Sequence, residues 1–374
     1  MNAEPGRIAA AQELFRSDDL LVRRVAGFGG PLCYVTFDSY TDNRTLDRPG
    51  FGEEHFRGRG IDAIHVLSRE NRWYQHSELD EALATVAAAV AGYERVIAYG
   101  SSMGGFAALR YGALCGARIG LALSPQYSVD PAVVPFDRRW ADDVARIVFR
   151  DDGDPPPLPI QYVAFDPRDA HDQRHFDLFA ARSPTIGLPV PNGGHPVGSF
   201  LVETDLLRTL LDQVERGDVD PEIFARELRR RRPRSGHYFY ILAQRTPPHR
   251  PRQKVALARL AAETHSDNPL YWSALGHALD AAGDFDAAWQ AHSTAIAMPR
   301  ANMHQIHHLM LHHEARQDYD RALELAERLI AENPDVLWLP AERKRMRRKR
   351  RHLTWLGRLG GMLGMDGLLE RWLY

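Results

Sequence analysis

Cysteine is almost absent from this chain: Cys33 and Cys115 are the only two. Each sits among apolar residues, which excludes a disulfide framework and implies two buried thiols in a reducing compartment. Long apolar runs are missing as well. No stretch reaches the roughly 18 apolar residues of a membrane-crossing helix, and the opening Met1-Asn2-Ala3-Glu4-Pro5 carries no apolar signal core. The expectation is a cytoplasmic protein with no integral membrane segment. Neither sign of charge is in excess, with 47 Lys and Arg against 49 Asp and Glu. That balance names no partner class, because the charges are unevenly placed and the C-terminal end is strongly basic. What is present is ordinary for globular protein: 44% hydrophobic and 9% aromatic residues in 374, enough for two or three domains with a sizeable core.

The first half alternates apolar runs with helical stretches. Leu20 to Val25, Leu32 to Phe37, Ile61 to Leu67, Val96 to Tyr99, Gly120 to Leu123 and Ile160 to Phe165 read as buried strands, and Glu78 to Tyr93 as an alanine-rich helix. That alternation predicts an α/β fold with a doubly wound, mostly parallel sheet. One strand runs into Gly100-Ser101-Ser102-Met103-Gly104 and then into the helix-like Phe106-Ala107-Ala108-Leu109. This is the G-x-S-x-G nucleophile elbow, in which a strand reverses into a helix and pushes its central serine out at the top of the sheet. Ser102 is the candidate nucleophile. The N–H of Met103 then points at any oxygen that becomes negative when Ser102 attacks a carbonyl.

In such a sheet reactive groups gather beyond the strand C-termini. After Phe165 comes Asp166-Pro167-Arg168-Asp169-Ala170-His171-Asp172, and after Gly187 to Pro191 comes Asn192-Gly193-Gly194-His195. The order Ser, Asp, His resembles that of the α/β-hydrolase superfamily of serine esterases, lipases and peptidases, over residues 17 to 215. The resemblance implies Ser102 as nucleophile, His195 as its base and an aspartate that orients the imidazole. Asp169 is preferred from its place after the strand; Asp172 is the alternative, and is otherwise a cap for the helix that follows. A second oxyanion donor is expected from the backbone of Asp38 or Ser39, although no H-G-G-G run is present there, which weakens a lipase-like assignment. Trp73 and Tyr74, just past another strand end, are candidates to floor a substrate pocket, and Tyr127 to Pro159 stands where the superfamily inserts a cap.

Beyond Arg229 to Gly236, a basic stretch, the period changes. Trp272, Leu275, Gly276, Gly283, Asp284, Phe285 and Ala288 fall at tetratricopeptide spacing, and Ala288 recurs as Ala322, 34 residues on. The chain resembles tetratricopeptide repeats over 269–334, with a weaker helical pair before them. The expected domains are therefore 1–220 (α/β-hydrolase), 221–236 (basic linker), 237–340 (all-α repeats) and 341–374 (basic run and apolar C-terminal helix). His304, His307, His308, His312 and His313 include i, i+4 pairs, but no accompanying cysteine or carboxylate is placed to finish a site. A polar repeat face is the reading, with neither metal nor cofactor expected. The run Arg343 to Arg351 is either a solvated helix or a contact for an anionic surface or polymer.

The function these features imply is a serine hydrolase, esterase or deacylase in type, that takes an acyl ester through an acyl-enzyme and whose repeats recruit a protein or polymeric partner. The alternatives are an acyltransferase on the same triad and a non-catalytic scaffold. An intact elbow favours catalysis, since a scaffold needs no strained serine.

Overall fold

Continuous apolar runs give buried strands, and eight strands form one sheet in the computed structural model, which describes residues 11–151, 153–334, 336 and 338–362. They are Ala11–Arg16 (β1), Leu20–Val25 (β2), Leu32–Phe37 (β3), Asp62–Ser68 (β4), Arg95–Ser101 (β5), Ile119–Leu123 (β6), Ile160–Phe165 (β7) and Thr185–Pro189 (β8). Their order across the sheet is β1-β2-β4-β3-β5-β6-β7-β8. Strands β3 to β8 run parallel, while β2 is antiparallel to both β1 and β4. The sheet is thus mixed, mostly parallel and α/β-hydrolase-like, and its fifth strand turns directly into a helix at Ser102. The sequence reading did not anticipate β1: its Ala-Gln-Glu-Leu-Phe-Arg is largely exposed at the sheet edge and lacks an apolar run.

Helices cover the faces: Glu53–Gly58 (α1), Leu79–Val90 (α2), Met103–Tyr111 (α3), Ala141–Val144 (α4), Ala170–Arg182 (α5), Gly198–Glu203 (α6), Leu206–Arg216 (α7) and Pro221–Arg231 (α8). Val35, Phe37, Ala98, Met103 and Phe106 lie in one core cluster where α3 meets the sheet. The region 127–159 is mostly irregular around α4. The helical stretch Phe200 to Val214 is broken at Asp205, whose φ of 56° separates α6 from α7. Residues 221–236 are not a linker but begin with α8: Asp220 accepts from the N–H groups of Glu222 and Ile223, Pro221 occupies the first turn, and Phe224 and Leu228 are buried. Of the arginines that suggested a linker, Arg229 and Arg230 lie on the exposed side of this amphipathic helix, and Arg231 donates to the Thr204 carbonyl.

Two compact units divide between Arg234 and Ser235. The second is all helix: Gly236–Gln244 (α9), Pro251–Thr264 (α10), Pro269–Ala282 (α11), Phe285–Ile296 (α12), Met303–Ala315 (α13), Tyr319–Glu332 (α14) and Leu339–Met362 (α15). Each packs on its neighbours in the chain, and α11 also on α13. The Gly283-Asp284 pair makes the α11–α12 turn, the glycine in the left-handed region and the aspartate capping α12 through the Ala287 N–H. Gln317-Asp318 repeats the device before α14. The basic run lies on α15, where Arg345 and Lys349 pair with Glu314, Arg343 and Arg347 with Glu327, and Arg350 with Asp320. The part of the expected apolar C-terminal helix beyond Met362 lies outside the described residues. No helix among those described is long and apolar enough to cross a membrane.

Candidate active site

Strand β5 delivers Ser102 to the top of the sheet, where it starts α3 with φ 51° and ψ −116°. A non-glycine residue in that region stores roughly 1–3 kcal/mol of strain. The packing that enforces it is visible at two glycines. A Cβ on Gly100 would lie 2.2 Å from the Gly104 carbonyl oxygen, and one on Gly104 would lie 2.2 Å from that of Phe37. The elbow therefore closes on itself and against the chain leaving β3.

Ser102 Oγ lies 3.0 Å from His195 Nε2, and His195 Nδ1 lies 2.8 Å from Asp172 Oδ1. Ser102 and Asp172 are buried, and the His195 side chain is partly accessible. The aspartate in contact with the imidazole is thus Asp172, and the preference for Asp169 is corrected. Asp169 is the cap of α5, its carboxylate accepting from the N–H groups of His171 and Asp172. Burial alone would raise its pKa, but the Asp172 N–H, Arg139 and the His171 N–H together hold it below the ordinary value. Three residues further on, in the first turn of α5, Asp172 faces the histidine loop. The capping contact and the imidazole contact are thus exchanged relative to the preferred sequence reading.

Four groups not singled out by sequence build the rest. Asp166, fully buried at the end of β7, accepts from the N–H groups of Arg168, Asn192 and Gly194, which ties the loop bearing His195 to the sheet. Arg139 approaches Asp172 Oδ1 to 3.3 Å and stands 4.5 Å from the ring centroid of Trp140, which in turn lies 5.6 Å from that of His195. The irregular 127–159 segment therefore reaches Asp172 and His195. It is anchored by Asp137, which bonds Arg139 and His175; burial pushes the His175 pKa down, and the hydrogen bonds from His175 and Arg139 hold Asp137 low against burial.

The fourth is Gln126. Its Nε2 donates to Ser102 Oγ at 3.0 Å and lies 3.4 Å from His195 Nε2, while its Oε1 accepts from Trp73 Nε1 at 3.0 Å. The indole N–H offers only a donor, so it fixes which end of the amide faces the serine. Trp73 and Tyr74 are both fully buried and both have positive φ, 47° and 56°. Trp73 borders a cavity of about 250 Å³ shared with Phe106, Tyr127 and Phe149. Tyr74 is held within the core: its hydroxyl donates to the Val66 and Asp38 carbonyls, and its ring packs edge-on against Phe37. A strand-end aromatic pair is bimodal in this way, and only the indole's partner, distant in sequence, distinguishes the two.

The oxyanion candidates also separate. Met103 opens α3, where a first-turn N–H has no intrahelical acceptor. The Asp38 N–H is spent on the Val66 carbonyl, which removes it as a donor, whereas the Ser39 amide has no acceptor among the described residues. The Asp38 carboxyl is pushed up to about 6 by burial, opposed by Arg48 and the Ser68 N–H.

No protein-family model matches the chain. No curated protein matches it either. Among solved structures it is similar to a capsule O-acetyltransferase of Neisseria meningitidis serogroup A, at 13% identity and a TM-score of 0.40, covering 56% of this chain and 97% of that one. An esterase of Pyrococcus furiosus is similar at 14% identity and a TM-score of 0.37, covering 56% and 92%. A tetratricopeptide-repeat protein of Thermus thermophilus is similar at 18% identity and a TM-score of 0.29, covering 36% and 75%. The structural neighbours are thus of α/β-hydrolase kind, with a tetratricopeptide protein matching part of the chain.

Proposed function

We propose that the chain is a serine hydrolase of esterase or deacylase type. The observation that carries this reading is the contact series Ser102–His195–Asp172 at 3.0 and 2.8 Å, on a serine held in a strained backbone conformation. His195 Nε2 takes the Ser102 proton as Oγ bonds to the acyl carbon. The carbonyl oxygen becomes an oxyanion, received by the N–H groups of Met103 and Ser39. The carbon–oxygen bond to the leaving group then breaks as His195 returns its proton to that oxygen, and water repeats the sequence on the acyl-enzyme. Asp172 keeps the imidazole in the tautomer with its proton on Nδ1. Gln126 donates where an entering or leaving oxygen must pass between Ser102 and His195, so an alcohol acceptor in place of water, that is, acyl transfer, would use the same donor.

A scaffold without catalysis is disfavoured, because it would retain the strain at Ser102 for nothing. For the repeats the proposal is recruitment of a protein or polymeric partner, supported by Phe285 and Trp289, large apolar side chains left exposed on α12. The test is labelling of the full chain with a fluorophosphonate. The expected result is one adduct, located at Ser102 and lost in Ser102→Ala, together with turnover of a short acyl ester; labelling that persists in this variant would overturn the assignment.

A further inference from the structure

The one carboxylate on α13, Glu314, is engaged by Arg345 and Lys349; the fold brings another to the histidines from α11. His277 and Asp280 stand three residues apart on α11, hence on one helix face, and His292 reaches the same place from α12. One nitrogen of His277, one oxygen of Asp280 and one nitrogen of His292 lie within 4.8 Å of one another. Asp280 Oδ2 is 3.1 Å from His292 Nε2, and Asp280 Oδ1 is 2.7 Å from His312 Nδ1 on α13.

The repeat pattern A-x3-F puts phenylalanine four residues after its alanine; after Ala288 this chain has His292 instead. The ring is fully buried against Gly276, where a Cβ would come within 2.6 Å of it. Its Nδ1 has no hydrogen-bond partner, nor has Nδ1 of His308, whose ring lies 4.3 Å from that of His277. Exchanging a core phenyl for an incompletely partnered imidazole is unfavourable for packing alone. The exchange gains a purpose if the ring ligates.

We propose that His277, Asp280 and His292 bind a divalent transition-metal ion of zinc type. Two imidazole nitrogens and one carboxylate oxygen are a donor set that suits zinc, with a fourth tetrahedral position left for water or another ligand. His277 and Asp280 are half-buried, which leaves a route for the ion. His312 is a positioning residue: it holds the second oxygen of Asp280 and so orients the carboxylate. The ion would tie α11 to α12 directly and to α13 through His312, stapling two consecutive helix pairs.

The test uses the full chain, stripped with a chelator and titrated with Co2+ by visible d–d absorption, with Zn2+ as competitor and melting of the helical signal as a second readout. One equivalent should bind saturably, Zn2+ should displace it, and the ion should raise the melting temperature. His292→Phe, which restores the pattern's own residue, and His277→Ala should each abolish binding while helical circular dichroism persists. His312→Ala should weaken it about tenfold to a hundredfold, and exposed His304, changed to Ala, should not matter. The proposal is overturned if the parent shows no saturable site, or if it binds no better than His277→Ala. Fluorophosphonate labelling at Ser102 should be the same with and without the ion, which separates this outcome from the hydrolase reading.

Discussion

At the scale of single residues, the sharpest prediction concerns two aspartates three positions apart. Asp172→Asn should lower kcat by about 10⁴-fold, because an amide facing His195 Nδ1 permits the wrong tautomer. Asp169→Asn should leave most of the rate and most of the stability, since an amide oxygen caps about as well, whereas Asp169→Ala should cost about 1 kcal/mol as the cap is lost; steady-state kinetics and thermal melting of the variants check the pair. Gln126→Ala should slow the reaction about tenfold, the worth of one hydrogen bond of roughly 1.4 kcal/mol. Trp73→Phe should approach the same loss without touching Gln126, since the amide is then free to turn. Equal rates for Trp73→Phe and the parent would remove the indole from the site. Ser102 and His195 were legible because each sits in a local sequence signal, an elbow and a glycine-rich turn after a strand. Gln126 was not, since its role rests on an indole 53 positions away.

Elements were legible where burial is continuous. The central parallel strands appear as apolar runs, whereas β1, exposed at the edge, does not. The choice between Asp169 and Asp172 lay below the resolution of a strand–loop–helix reading, because it turns on where the first turn of α5 begins. A linker was inferred from arginines, although Phe224 and Leu228 carry the helical period that buries α8. At the elbow, Gly104→Ala should cost about 3 kcal/mol or more, since its Cβ would meet the Phe37 carbonyl oxygen at 2.2 Å and backbone must move. Denaturant unfolding measures this, and a variant as stable as the parent would show that α3 does not seat so closely on β3.

For the whole molecule, every residue of the proposed triad lies before the division at Arg234. A chain ending at Arg234 should therefore fold and label with a fluorophosphonate at the parent's rate. One ending at 220 should be markedly less stable, by about 2 kcal/mol for each of the lost Phe224 and Leu228, as thermal melting of the two would show. The basic run of α15 has a different consequence. Glu314, Glu327 and Asp320 already engage Arg343, Arg345, Arg347, Lys349 and Arg350, so most of the run is occupied rather than vacant. A polyanion would have to compete with the protein's own carboxylates, as one acid displaces another from a shared base. Its apparent affinity would then report the difference between two ion-pair sets, and Glu314→Gln would strengthen the polyanion's hold by removing the internal rival.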